Sequence, residues 1–228
     1  MYSPKRRFRL FRLLDAATAA GSLAFTGGTT NALQYANEAD FQMGSGNFTI
    51  EWFQYFQTGA SSFPRVFSIG SYPSAFGVSI ESGTFFLWRG NGAVETSFAV
   101  SGITNTWVHF AIVGENNTTI KIYQDGVLKA TYSGTYNFNN TTNTLTIGNE
   151  SNRGTTAGFS GYITNFRWTK GTAVYTSGFS KPTQPLTSLA NTKLLLLARE
   201  SDPFADSSGL GKTATNYSVV YNASSPFS

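Results

Sequence analysis

Three stretches in a fixed order decide the fold: NFTIEWF at residues 47–53, WVHFA at 107–111 continuing to YQDG at 123–126, and GYITNFRW at 161–168. Each stretch alternates apolar and polar residues, as β-strands do when one face is buried. Glycine and asparagine residues close the stretches with turns. Such strands need a second sheet to cover their apolar faces, so the sequence predicts an all-β, antiparallel two-sheet sandwich.

Short strands separated by turn signals are expected along the rest of the chain, at a spacing of roughly ten residues that is typical of sandwiches. The dipeptide Asp125-Gly126 predicts a two-residue hairpin turn, because glycine adopts a positive φ without strain. The expected strands are 31–36, 48–56, 64–70, 76–81, 84–89, 93–99, 106–114, 119–124, 127–132, 143–148, 160–168, 193–198 and 216–221.

The same stretches resemble the signatures of concanavalin A-like, laminin G-like jelly rolls, with FTIEWF first, WVHFA and IYQDG next, and FSGYITNFR last. The resemblance covers residues 22–228 and implies one jelly-roll domain there, preceded by a basic arm at residues 1–21. The segment 166–175, with the residues that follow it, is similar to a variant frequent in structural proteins of bacteriophages and large viruses. For that variant the resemblance implies a decoration, fibre or adhesion domain.

Composition excludes several classes of protein. The chain has 228 residues and no cysteine, so disulfides and thiol chemistry are ruled out. Only 12% of the residues are charged, against about a quarter in typical domains. The sequence contains no apolar run long enough for a membrane-spanning helix.

The positive charge is concentrated at the start of the chain. Five of the 16 basic residues precede residue 13, which leaves 11 basic against 12 acidic side chains in the remainder. Arg12 and Asp15 interrupt the apolar stretch there, which disfavours a secretory signal peptide. Apolar residues at near-helical spacing instead predict an amphipathic anchoring arm. Its basic and apolar members are Lys5, Arg6, Arg7, Phe8, Arg9, Phe11, Arg12 and Leu14.

Three partners fit this arm. Phe8, Phe11 and Leu14 provide apolar anchors beside the charges, which favours docking on neighbouring subunits of an assembly. Nucleic-acid phosphates and a membrane surface are the alternative partners, and the arm can also simply pack on its own domain. We expect the arm to join the chain to other virion or assembly subunits in a homo- or hetero-oligomer, and we do not expect nucleic acid to be its partner.

The sequence predicts that the protein is not an enzyme. One branch of concanavalin A-like folds cleaves glucans with an E-x-D-x-x-E pattern, and that pattern is missing here: the first acid after Glu51 is Glu81. No G-x-S-x-G nucleophile turn occurs either. His109, the single histidine, lies inside an expected strand, where the resemblance implies a structural role.

Calcium is the metal to consider, because laminin G-like domains often bind it at one rim through carboxylates and backbone oxygens. No other cofactor is expected. The candidate ligands are spread along the sequence and form no dense acidic cluster. They are Asp40, Asp125, Asp202 and Asp206.

A carbohydrate site requires exposed aromatic rings beside polar hydrogen-bonding groups. Trp88 and Arg89 provide such a pair at the end of an expected strand. The alternative is that Trp88 belongs to the core and Arg89 caps the strand, and Trp52, Trp107 and Trp168 are expected in the core. The full candidate set combines that strand end with other predicted loops: Trp88, Arg89, Asn91, Tyr72, Asn149, Asn152 and Arg153.

Two functions follow as hypotheses. The first is a structural or decoration protein of a virion, in its capsid, tail or tail fibre, displayed on the particle and docked through the N-terminal arm. The second is a glycan-binding adhesion module that recognises cell-surface glycans, and the two functions are compatible.

Overall fold

The computed structural model describes residues 20–28, 30–73, 76–90, 93–139 and 144–227. Within these ranges the regular structure is almost entirely β, with a single 3-10 turn at Ala39–Phe41. No helix in the described ranges has the length and apolarity needed to cross a membrane. Residues 1–19 of the predicted N-terminal arm lie outside the described residues. The last two residues of that arm belong to the sandwich, because Ala20 forms a β-bridge with Arg199 and the Gly21 N–H donates to the Ala198 carbonyl at 2.9 Å.

The strands agree closely with the expected ones. Four of them, at 48–56, 76–81, 93–99 and 119–124, have the expected bounds, while the segment 216–221 divides into two strands. The strands are β1 Ser22–Thr26, β2 Ala32–Tyr35, β3 Phe48–Phe56, β4 Arg65–Ile69, β5 Phe76–Glu81, β6 Thr84–Gly90, β7 Ala93–Ala99, β8 Trp107–Glu115, β9 Thr119–Gln124, β10 Val127–Ser133, β11 Leu145–Ile147, β12 Ser160–Lys170, β13 Thr192–Leu196, β14 Ala214–Tyr217 and β15 Val220–Asn222.

The strands form two antiparallel sheets. The eight-stranded sheet has the order β10-β9-β8-β3-β12-β1-β15, with β13 also paired to β12. The seven-stranded sheet has the order β14-β2-β11-β4-β5-β6-β7. Neighbours such as β3 and β12 are distant in sequence, so the chain crosses repeatedly between the sheets. The prediction of a two-sheet jelly roll is confirmed.

Aromatic side chains fill the space between the sheets. Trp52 lies 5.7 Å from both Phe67 and Phe110, measured between ring centres. Trp168 contacts Phe67 at the same distance, and both tryptophans are fully buried, as expected. The expectation for Trp107 is wrong, because its ring lies half-buried on the outer face of the eight-stranded sheet. The alternation that buries Val108 turns Trp107 outward.

Two tight hairpins fix the register of the strands they join, and so determine which side chains lie on each face of the sheet. The turn between β9 and β10 has φ of 49° at Asp125 and 80° at Gly126, so the expected hairpin is present as a type I′ turn. Ser82 and Gly83 have φ of 47° and 76° and join β5 to β6 in the same way. The β5–β6 hairpin forms part of the candidate functional site. Its register decides which β5 and β6 side chains lie on the same face of the sheet.

Candidate functional site

A cleft of about 370 Å³ opens on the outer face of the seven-stranded sheet. This volume lies within the range of roughly 300–1,000 Å³ that small-molecule sites occupy. Strands β4, β5 and β6 form its floor, and two loops form its rim. The residues that line it are Phe63, Arg65, Tyr72, Glu81, Trp88, Glu150, Thr156 and Ala157.

The β5–β6 hairpin places the floor residues. Because Glu81 pairs with Thr84 and Gly77 pairs with Trp88 across the hairpin, Ser79, Glu81 and Trp88 face the same side. The intervening residues face the core. The indole Nε1 of Trp88 donates a hydrogen bond to Ser79 Oγ at 2.7 Å, which fixes the orientation of the ring.

Aromatic rings form the walls. Trp88 is half-buried, whereas Tyr72 is 59% exposed and Phe63 is 48% exposed. The Tyr72 and Trp88 ring centres lie 6.1 Å apart, and the two planes are nearly perpendicular. Large exposed aromatic rings are uncommon on a surface with no partner. Here two of them surround the same cleft.

A buried ion pair lies in the floor. Arg65 Nη1 lies 2.9 Å from Glu81 Oε1, with side-chain exposures of 6% and 15%. The Arg65 guanidinium also lies over the Trp88 ring, 5.1 Å from its centre. Burial lowers the pKa of the guanidinium, while the charges of Glu81 and Glu150 oppose that change. Ser79 Oγ donates a second hydrogen bond to Glu81 Oε1.

The carboxylate of Glu150 belongs to the rim. The backbone N–H of Tyr72 donates to Glu150 Oε2 at 2.8 Å, which ties the two rim loops together. The Glu150 loop is anchored to the segment before β4, because the Phe63 N–H donates to the Thr156 carbonyl at 2.8 Å. These two hydrogen bonds, one to the Glu150 side chain and one between backbone groups, hold the rim in place without a ligand.

The structure brings together only part of the predicted carbohydrate set. Trp88 and Tyr72 form the cleft, and Trp88 is not part of the core. Asn149 is fully buried beneath the rim, where its Oδ1 accepts from the Glu150 N–H. Asn152 is exposed beside the Tyr72 loop, and its N–H donates to a hydroxyl of that loop at 2.9 Å.

The other predicted residues lie elsewhere. Arg89 extends away from Trp88 and forms an ion pair with Glu95 at 3.0 Å. Arg153 lies over the ring of Tyr217, 3.9 Å from its centre. Asn91 is outside the described residues. Sequence reasoning missed six of the eight residues that line the cleft: Phe63, Arg65, Glu81, Glu150, Thr156 and Ala157.

The four candidate calcium ligands are not brought together. Asp40 forms ion pairs with Lys212 and Lys193. The hydrogen bond from Lys212 is the main cause that lowers the pKa of the Asp40 carboxyl group, and burial opposes this effect. Asp125 accepts from the His109 N–H at 2.8 Å.

Asp206 accepts from three backbone N–H groups, those of Leu195, Ser208 and Lys212, so its oxygens stabilise a turn. Asp202 lies exposed in a neighbouring turn. In the ranges that the structure describes, no cluster of three or more His, Cys, Asp or Glu side chains could hold a metal ion. These four residues therefore do not fit a shared calcium site.

Glu51 and His109, the residues that a catalytic hypothesis would use, belong to a buried network of hydrogen bonds and ion pairs. His109 Nε2 lies 3.1 Å from Glu51 Oε2, and both side chains are fully buried. Arg167 Nε donates to Glu51 Oε1 at 2.9 Å, and the Tyr175 hydroxyl donates to Oε2 at 2.8 Å. Burial raises the pKa of Glu51, but the hydrogen bond from His109 and the charge of Arg167 outweigh it and leave that pKa below its ordinary value.

Residues 26–173 match the Laminin_G_3 family model, which is described as the Concanavalin A-like lectin/glucanases superfamily. The matched stretch covers more than half of the chain. The chain belongs to this superfamily. The cleft of this concanavalin A-like domain lies within the matched stretch, because all eight of its lining residues fall between positions 63 and 157.

Solved structures share the concanavalin A-like fold. A proposed carbohydrate-binding protein from Bacteroides ovatus superposes with a TM-score of 0.69 at 14% identity, over 93% of this chain and 62% of that one. This chain therefore spans less than two thirds of that protein. The native heptameric SAP-like pentraxin from Limulus polyphemus gives 0.57 at 12% identity, over 93% and 99%. Domains LG4-5 of the mouse laminin alpha1 chain give 0.49 at 16%, over 72% and 47%. The chain matches no curated protein.

Proposed function

We propose that this concanavalin A-like domain binds a carbohydrate in the Trp88 cleft and performs no chemistry on it. The observation that carries the proposal is the meeting of two aromatic rings, Trp88 and Tyr72, with the carboxylate of Glu150 around one preformed cleft. Sugar rings present apolar C–H faces that pack on aromatic rings. Their hydroxyl groups donate hydrogen bonds, and an ionised carboxylate accepts them.

Two further facts support binding over catalysis. Glu81 is held by Arg65 and Ser79, so its Oε1 is engaged in structure and is not free to act as an acid or base. The superfamily is named for lectins and glucanases alike, so membership does not separate the two functions, but the related Bacteroides ovatus protein is a proposed carbohydrate binder.

A broad oligosaccharide array, followed by calorimetry on each hit, tests the proposal. We expect the whole chain to bind at least one glycan and the Trp88→Ala variant to lose that binding. Trp107→Ala is the matched control, because Trp107 is also half-buried but lies on the opposite outer face. Equal loss in both variants, or no binding by the unaltered chain, would contradict the proposal.

A second function, compatible with the first, is display on a virion as a structural or decoration protein. The sequence supports it through its resemblance to the phage and large-virus variant and through the five basic residues that precede residue 13. In this proposal the arm docks on other subunits, and glycan binding serves attachment to cells. A chain that lacks residues 1–19 should fail to join the particle while keeping its glycan affinity. Normal occupancy of the shortened chain would contradict docking by the arm.

A further inference from the structure

The charges around the Trp88 cleft restrict its ligand more narrowly than the aromatic rings do. We propose that the site accepts neutral, hydroxyl-rich sugars and discriminates against acidic ones such as uronic, sialic and sulfated sugars. This inference rests on the proposed carbohydrate binding and adds the chemical class of the ligand.

Arg65 is the one cation among the lining residues, and it is already engaged. Its guanidinium pairs with Glu81 at 2.9 Å and is almost fully buried. Trp88 covers it from another side, with the ring centre 5.1 Å from the guanidinium carbon. Only Nη1 of this guanidinium pairs with Glu81, and its Nε is buried without a hydrogen-bond partner. A sugar carboxylate that reached the guanidinium would compete with Glu81 for its charge, and a displaced Glu81 would be a largely buried carboxylate without its partner.

The cleft contains more negative than positive charge. Glu81 and Glu150 contribute two carboxylates against one guanidinium, and the remaining lining side chains are uncharged. Arg89 and Arg153, which lie near Trp88 and Glu150 in the sequence, do not line the cleft. Arg89 pairs with Glu95, and Arg153 lies over the ring of Tyr217. The lining residues therefore carry one net negative charge when a ligand approaches.

Glu150 determines whether a ligand group must donate or accept a hydrogen bond at the rim of the cleft. Its Oε2 accepts from the Tyr72 N–H, and an ionised carboxylate has further acceptor positions but no donor. A sugar hydroxyl can donate to those positions. A sugar carboxylate or sulfate can donate nothing, and its charge would be repelled in a site partly shielded from water. Rejection of acidic sugars by repulsion is a common route to specificity.

The experiment compares matched sugars that differ by one charge. The probes are neutral, uronic-acid, sialylated and sulfated members of the same array, with each neutral hit remeasured against its analogue that carries a carboxylate at C6. We expect the acidic analogue to bind at least about tenfold more weakly. The affinity for the neutral hit should change little between about 0.05 and 0.5 M NaCl. Any acidic glycan that binds better than its neutral counterpart would overturn the inference.

Variants separate the charge effect from a shape effect. Glu150→Gln keeps an amide oxygen that can accept from Tyr72 but removes the charge, so the discrimination should weaken by about tenfold. Glu115→Gln is the control, because Glu115 is paired with Lys121 on the eight-stranded sheet. Unchanged discrimination in Glu150→Gln would overturn the charge argument while leaving carbohydrate binding intact. Failure of the unaltered chain to bind any glycan would instead remove the proposed function itself.

Discussion

The guanidinium carbon of Arg65 lies 5.1 Å from the centre of the Trp88 ring. This contact connects the floor of the cleft to its main aromatic wall. Because Ser79 also accepts the indole N–H at 2.7 Å, the Trp88 ring is held at two points without a ligand. A ring that is already fixed loses little conformational entropy on binding, which favours affinity.

Replacement of Trp88 by alanine should weaken glycan binding by tenfold or more, equivalent to about 1.4 kcal/mol. The physical reason is the loss of the wall against which a sugar ring packs. Arg89→Ala should leave the affinity unchanged, because Arg89 pairs with Glu95 away from the cleft. Calorimetric titration of both variants measures the difference. A larger effect from Arg89 than from Trp88 would contradict binding in the Trp88 cleft.

Glu51→Ala should lower the free energy of unfolding by about 3–5 kcal/mol, because it leaves the Arg167 guanidinium buried without its partner. Chemical denaturation followed by fluorescence measures the loss. Glu115→Gln breaks the less buried pair with Lys121 and should cost about 1 kcal/mol or less. If the two variants lost similar amounts of unfolding free energy, the buried contacts of Glu51 would not stabilise the domain more than an exposed ion pair does.

Acid should destabilise the domain through Glu51. The pKa of Glu51 is lowered in the folded state, despite burial, by His109 and Arg167. Its ionised form therefore contributes stability above the unfolded-state pKa of about 4.3, and that contribution is lost as the pH falls through the lower folded-state pKa. Unfolding free energies measured between about pH 7 and pH 3 should decline less steeply in Glu51→Gln than in the unaltered chain. Parallel profiles would contradict this assignment.

Gly126→Ala should destabilise the β9–β10 hairpin. The φ of Gly126 is 80°, and an added Cβ would lie 1.8 Å from the backbone oxygen of Phe179. Strain at such a position costs about 1–3 kcal/mol. Asp125→Asn is the control, because Asn-Gly also favours a type I′ turn. Thermal unfolding should show a lower midpoint for the glycine variant, and an unchanged midpoint would contradict the close packing of Phe179 on this turn.

Most of the fold could be predicted because alternation and turn chemistry are local signals. The strand that contains Trp52 and the strand that leads into the Asp125-Gly126 turn carry both signals and have the expected bounds. β1 is absent from the expected strands because the five residues SLAFT are too few to show a clear alternation. Only its pairing with β12 and β15 gives it a partner on each side. Long-range pairing of this kind is not encoded in any short window of sequence.

Only two of the eight residues that line the cleft, Tyr72 and Trp88, are predictable from the sequence. The sequence offers Trp88 and Tyr72 as exposed aromatic residues, but the cleft depends on where β4 and the Glu150 loop lie. Arg65 and Glu150 lie 85 positions apart in the sequence, so no spacing rule connects them. Glu81 could have been found from the Ser82-Gly83 turn, whose hairpin register places it on the Trp88 face. The buried partners of Glu51 come from three separate segments, so its network required the structure.

A crystal structure of the chain with a bound neutral oligosaccharide from the array tests the central claim most directly. The account predicts a sugar ring packed against Trp88 and Tyr72, with a hydroxyl group donating to Glu150. A sugar bound on another surface, with the Trp88 cleft empty at a saturating concentration of ligand, would contradict it.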